Sequence, residues 1–142
     1  MKQPKFTFAV QNEVEQLKES VMKAKKLFFK ECNLAGRQYH DVDEVWEELH
    51  VGTQLKLQRD LENRYDKNAV AVVYNNVDVE TGIVEEYLLG YIPSEDNETI
   101  AQLLEMGWDD IFECRISKIN PDAHYENQIR LTIRIVKNDN KK

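Results

Sequence analysis

"RYDKNAVAVVY", residues 64–74, joins a knot of polar side chains to the most apolar run in the chain. The fold turns on how that junction is read. Ala69 to Tyr74 is short, rich in valine and bounded by turn-forming residues, the pattern of a buried strand. Directly ahead of it stand Arg64, Tyr65, Asp66, Lys67 and Asn68, where a plain turn needs one or two such residues. Taken alone, the stretch has a structural account. Asp66 accepts a hydrogen bond from the backbone two residues on, Asn68 takes a left-handed conformation, and Tyr65 lies over a barrel mouth with its hydroxyl in water.

Working outward, "TQLKLQRD" (53–60) alternates Leu55 and Leu57 with polar neighbours, a half-buried strand. After Tyr74, "NNVDVETGIVEE" reads as an exposed hairpin connection, and "YLLGYIP" is a strand that Pro93 must stop. Ser94 is the expected cap of a helix with Glu95 and Asp96 in its first turn, Ile100, Leu103 and Leu104 inside, and Gly107 as its stop. "IFECRISKI" (111–119) turns Phe112, Cys114 and Ile116 to one side. "IRLTIRIV" (129–136) alternates throughout.

Upstream, "FFKECNLAGRQY" reads as a strand that continues or bends at Gly36. "DVDEVWEELHVG" reads as a short helix behind Asp41 that buries Val42, Val45, Trp46 and Leu49. Its five acids fit a solvated outer face better than a metal site. Asn12 with Glu15 forms a capping-box pattern ahead of a helix over about 13–26. The apolar stripe Val14, Leu17, Val21, Ala24 and Phe28 serves either as an arm packed on its own domain or as a dimer or partner surface through residues 13–28; two heptads favour the arm. The sum is a mainly β, α+β fold. It is a small OB-like barrel of five to six strands, closed or nearly closed, with two flanking helices and an N-terminal helix. The chain divides into an arm (1–29), a barrel domain (30–137) and a frayed tail (138–142).

The 142 residues carry a net charge of −7, unevenly spread: +3 over residues 1–33, −11 over 34–137 and +1 over the tail. An acidic body of that size repels polyanions at long range and argues against general coating of duplex DNA. Half of its basic residues fall between 37 and 67 (Arg37, Lys56, Arg59, Arg64 and Lys67), which leaves room for a local anion site. No run reaches the length of a membrane span, and "MKQPKFTF" lacks a secretory apolar core. Two cysteines make no disulfide framework, so a cytoplasmic, reducing setting is expected. His40, His50 and His124 form no zinc spacing with Cys32 and Cys114, and Cys114 reads as a buried thiol. No glycine loop for a nucleotide occurs. Neither a catalytic residue nor a metal or other cofactor is expected. Trp46 and Trp108 read as core or lid packing before base stacking.

"AGRQYH", then "LKLQRDLENRYDKNAVAVVY", then "LLGYIPSE" and a following helix resemble the HIRAN domain in order and spacing, over about residues 30–137. The shared core is Arg59, Asp60, Asn63, Tyr65, Asp66, Asn68, Ala69 and Val70, followed by Gly90, Tyr91, Ile92 and Pro93. The chain departs from the DNA-binding members at Gln38, where they can carry an aromatic, at Tyr91, where they can carry histidine, and at Leu61, where proline is usual. The resemblance implies an OB-like barrel with a pocket for the 3′-hydroxyl end of single-stranded DNA, in a repair or processing context. It makes Arg37 the phosphate or base contact, Tyr39 and Tyr65 the stacking faces, and Asp66 the reader of the terminal hydroxyl. Lys67 and Tyr91 stand as neighbouring contacts. A carboxylate accepts a hydroxyl proton and repels a phosphate, so it distinguishes a free end from a continuing strand. The competing expectation is a protein-interaction module on the same barrel that has lost DNA binding.

Overall fold

The computed structural model describes residues 26–137, together with Glu13 and Gln16. The helix expected over about 13–26, with Val14, Leu17, Val21 and Ala24 of its apolar stripe, therefore lies outside the described residues apart from those two, which are helical, and Lys26; Phe28, the last residue of the stripe, stands in a strand. So does the tail from 138 onward.

Six strands form one antiparallel sheet: β1 (Lys26–Asn33), β2 (Gln54–Arg59), β3 (Val70–Val77), β4 (Val84–Tyr91), β5 (Phe112–Ile119) and β6 (Ile129–Val136), in the order β1-β6-β5-β2-β3-β4. β1 starts at Lys26, ahead of the boundary drawn at residue 30. Its alternation makes β6 the spine of one half: Ile129, Leu131 and Ile133 are all but inaccessible, while the residues between them face outward. Cys114 lies opposite Ile133 and Ile116 opposite Leu131, so β5 buries the same side. Val70 and Val72 complete this core from β3 with Leu55 and Leu57 from β2. Both cysteines are free and buried. Burial, above all, raises the Cys32 thiol to about 11 and pushes that of Cys114 upward as well, as an inert core thiol requires.

The sheet does not close. Its outer strands approach through one bridge, in which Ala35 and Tyr91 exchange two backbone hydrogen bonds of 2.9 Å each. Gly90 makes this approach possible, because a Cβ there would stand 2.3 Å from the Ala35 carbonyl oxygen. The result is a small OB-like α+β fold with an open sheet.

Three local expectations are corrected. The chain after β1 leaves the strand at Asn33, turns at Gly36 (φ 72°) and forms a 3-10 turn, Arg37–Tyr39, so Arg37 and Tyr39 are not strand residues. The next helix is one turn, α1 (Val42–Val45), followed by a 3-10 turn over Trp46–Glu48. The helix expected to start behind Ser94 begins later, as α2 (Glu98–Glu105) with Asn97 at its N-cap. Residues 94–96 form a turn instead, with the Asp96 N–H donating to the Pro93 carbonyl.

Candidate nucleic-acid interface

The connection between β2 and β3, residues 60–69, is held by its own side chains. Asn63 Oδ1 accepts from the backbone N–H groups of Tyr65 and Asp66, at 2.9 and 3.0 Å. Asp66 Oδ1 accepts from the Asn68 N–H at 2.9 Å, and Asp60 Oδ1 from the Glu62 N–H at 3.1 Å. These are successive Asx turns, in which a short polar side chain substitutes for a backbone acceptor. Arg59 fastens the far side: its guanidinium donates to the carbonyls of Lys67 and of Ala69, and to Glu105 on α2. Five polar residues precede the strand because the loop is a built structure rather than a simple turn. Asn68 is not left-handed, since every described residue with positive φ is a glycine. The Asx turns reverse the chain without needing that conformation.

Asp66 is tied down further. Its Oδ2 accepts from Nδ2 of Asn97 at 2.7 Å, and Asn97 is only 1% exposed. A buried amide therefore fixes the half-buried carboxylate to the start of α2. Each carboxylate oxygen has two acceptor lobes, so one on each remains for an incoming hydroxyl. Tyr65, next in the chain, is 99% exposed. Its ring lies over no barrel mouth; a rigid backbone holds it out in solvent. Lys67 and Arg64 are exposed beside it.

Tyr91 joins this loop to the turn after β1. Its hydroxyl donates to Asp60 Oδ2 at 2.7 Å, and its ring meets His40 edge-on at 5.5 Å between centroids. Burial, and then the hydrogen bond to Asp60 and its charge, raise the phenol above its usual value, with Asn63 opposing. A cleft of about 350 Å³ opens at Tyr91, floored by Ala71, Val73 and Leu88 and walled by Asp41, Asp60 and Glu86, with Gln58 and Arg59. Arg37, Tyr39, Tyr65 and Asp66 are not among its lining residues.

Arg37 stands apart. It is 4% exposed, and its guanidinium lies 5.2 Å from the Trp46 ring and 5.1 Å from the Tyr125 ring. Its Nη2 donates to Asp43 at 2.9 Å. A cation stacked between two rings and paired with a carboxylate joins three connections that would otherwise have little contact. Arg37, expected as the phosphate or base contact, is thus buried against two rings in this arrangement. Tyr39, two residues on, is 78% exposed. Trp46 is half-buried against Arg37, whereas Trp108 is exposed on one side of the end of α2.

Of the expected residues, Tyr65, Asp66 and Lys67 share one loop, Tyr91 is bound to that loop through Asp60, and Tyr39 extends from the turn whose His40 touches Tyr91. Sequence reasoning missed Asn97 and Tyr125. The cap was expected at Ser94, so neither the place of Asn97 at the start of α2 nor its bond to Asp66 was visible. Nothing local marks Tyr125 as the partner of Arg37. Among the described residues no group of three or more His, Cys, Asp or Glu is arranged to hold a metal ion, and no helix is long and apolar enough to cross a membrane.

These elements define a small OB-like domain that carries the exposed rings of Tyr39 and Tyr65 on its connections. The chain belongs to the HIRAN domain family, whose model matches residues 27–136. Two solved structures are similar in fold. A protein from Lactobacillus plantarum aligns with a TM-score of 0.62 at 21% identity, over 80% of this chain and 97% of that one. The HIRAN domain of human HLTF aligns with a TM-score of 0.52 at 18% identity, over 82% and 84% respectively. No protein of curated function matches the sequence.

Proposed function

We propose that the chain is a non-catalytic nucleic-acid-binding module that recognises the 3′ end of single-stranded DNA in a repair or processing context. The observation that carries this reading is Tyr65, fully exposed on a loop pinned at every turn. Folding gains nothing from a large ring in water. A ring already fixed in place stacks on a base with little ordering cost, worth roughly 1–3 kcal/mol without choosing a sequence. Tyr39 is the second stacking face, Asp66 accepts from the terminal hydroxyl, and Lys67 supplies a phosphate contact. Tyr91 acts through Asp60, as a positioning residue. Fluorescence anisotropy with strands ending in 3′-hydroxyl or 3′-phosphate tests the end-reading step. Tighter binding of the hydroxyl end, reduced by Asp66→Asn, is expected; equal binding of both ends removes the step.

A second reading, a protein-interaction module on the same barrel, is favoured by one feature. The 350 Å³ cleft has an apolar floor and three carboxylates in its walls, which repel phosphate. Absence of oligonucleotide binding at low salt, with capture of a protein partner abolished by Glu86→Lys, would select that reading.

A further inference from the structure

Strand register sorts the charges of the outward side of the sheet into two fields. Residues directly opposite share a side, and so do residues two apart on one strand. Phe28, Arg134 and Glu113 therefore form one outward row, and Glu31, Thr132, Arg115 and Gln54 the next. Arg130 and Lys56 continue the same side from β6 and β2, and Lys26 from β1. With Lys118, opposite Arg130, six cations thus share that side with two carboxylates, in a body whose overall charge is strongly negative.

Of those carboxylates, the one at the centre is hidden. The Glu113 side chain is 10% exposed beneath Lys26 at 2.8 Å, Arg115 at 3.3 Å and Arg134 at 3.8 Å, which are themselves 49%, 37% and 45% exposed. The other, Glu31, is 40% exposed and paired with Arg130 at 2.8 Å, so solvent meets Lys26, Arg115 and Arg134 over a concealed counter-charge and Arg130 beside an open one. Phe28 stands in the same row at 66% exposure. The acids of the outward side gather at the other end, as Glu86, Asp60 and Asp41 around β4.

We propose that the outward side of β1, β6, β5 and β2 is a second nucleic-acid surface that binds the phosphate backbone of a single strand. Arg115, Arg130, Arg134, Lys26 and Lys56 supply the phosphate contacts and Phe28 a stacking ring. Arginine forks match phosphate oxygens in pairs, and an exposed ring among cations suits bases better than it suits an acidic polypeptide. The surface goes beyond end recognition, because it contacts phosphates anywhere along the strand.

The test is anisotropy on the full chain across a salt series, with labelled strands of about 4 and about 20 nucleotides. Arg115→Gln with Arg134→Gln should lower the slope of log K against log salt for the long strand by about 1.4. The ratio of affinities for 3′-hydroxyl and 3′-phosphate ends should stay unchanged. Since this pair leaves Glu113 with one cation, Arg130→Gln with Lys56→Gln, away from Glu113, must give a similar loss. An unchanged slope in both pairs overturns the surface, as does equal competition by polyglutamate, which would assign it to acidic protein segments. A reduced slope with no discrimination between ends would instead sustain the surface and remove the end-reading mechanism.

Discussion

The loop 60–69 and the turn 37–39 carry the residues expected to share one site, and they treat those residues in opposite ways. In the loop, Asn63, Asp60 and Asp66 spend their acceptors on the backbone, and the tyrosine between them is left in water. In the turn, the arginine is covered by Trp46 and Tyr125, and Tyr39 is left exposed. Polar residues hold the first region still so that an apolar surface can face outward. A charged residue holds the second together from within. In these two connections, polar and charged groups turned inward hold the backbone, and tyrosine rings are left in solvent.

The largest effect expected from breaking this contrast comes from Arg37→Ala. Removing a buried guanidinium packed against two rings should cost about 3 kcal/mol of stability through lost packing, since Asp43 is 84% exposed and stays hydrated. Chemical denaturation checks it. Under conditions where the variant is folded, its affinity for oligonucleotides should match the parent's. A variant that loses binding and keeps its stability would return Arg37 to the ligand.

Next comes Asn97→Ala, which withdraws the buried donor from Asp66 and should cost about 2 kcal/mol. The loop then loses its anchor on α2, so discrimination between 3′-hydroxyl and 3′-phosphate ends should fall along with the melting temperature. Hydrogen exchange confined to residues 60–69 would locate the loosening. Full discrimination in a destabilised variant would show that Asp66 is held by the Asx turns alone.

A smaller effect comes from the sheet. The ion pair with Lys26, first, and then Arg115 hold the Glu113 carboxyl below its usual 4.5, against the opposing effect of burial. A lowered folded value means the contribution is present above the ordinary carboxylate range and is lost as pH falls through the folded value. Glu113→Gln should flatten the acid limb of the stability profile, measured by denaturation below about pH 4.5. A limb of unchanged slope would show that the three cations do not favour the ionised form.

Much of the barrel was legible because alternation is a local signal: Ile129, Leu131 and Ile133 are inward in the sequence pattern and inward in the sheet. The internal bond from Asp66 to the Asn68 N–H was legible for the same reason, since an Asx turn spans two residues. What depended on distant partners was not. The bridge that makes Gly90 necessary joins Ala35 to Tyr91, and the ring that covers Arg37 comes from Tyr125. The late start of α2 was hidden by Ser94, whose capping chemistry suits a turn as well as a helix. Family motifs pointed to loop 60–69 and to Arg37, and the burial of Arg37 against Trp46 and Tyr125 could not be read from them.

The central claim is that Tyr65 is presented for a ligand and contributes nothing to the fold. Tyr65→Ala, measured by thermal denaturation and by anisotropy with a single-stranded 3′-hydroxyl oligonucleotide, tests it directly. Stability should change by less than about 0.5 kcal/mol, while affinity should drop by about 1–3 kcal/mol, roughly 5- to 150-fold. Unchanged affinity, or a loss of stability as large as the loss of binding, would contradict the account.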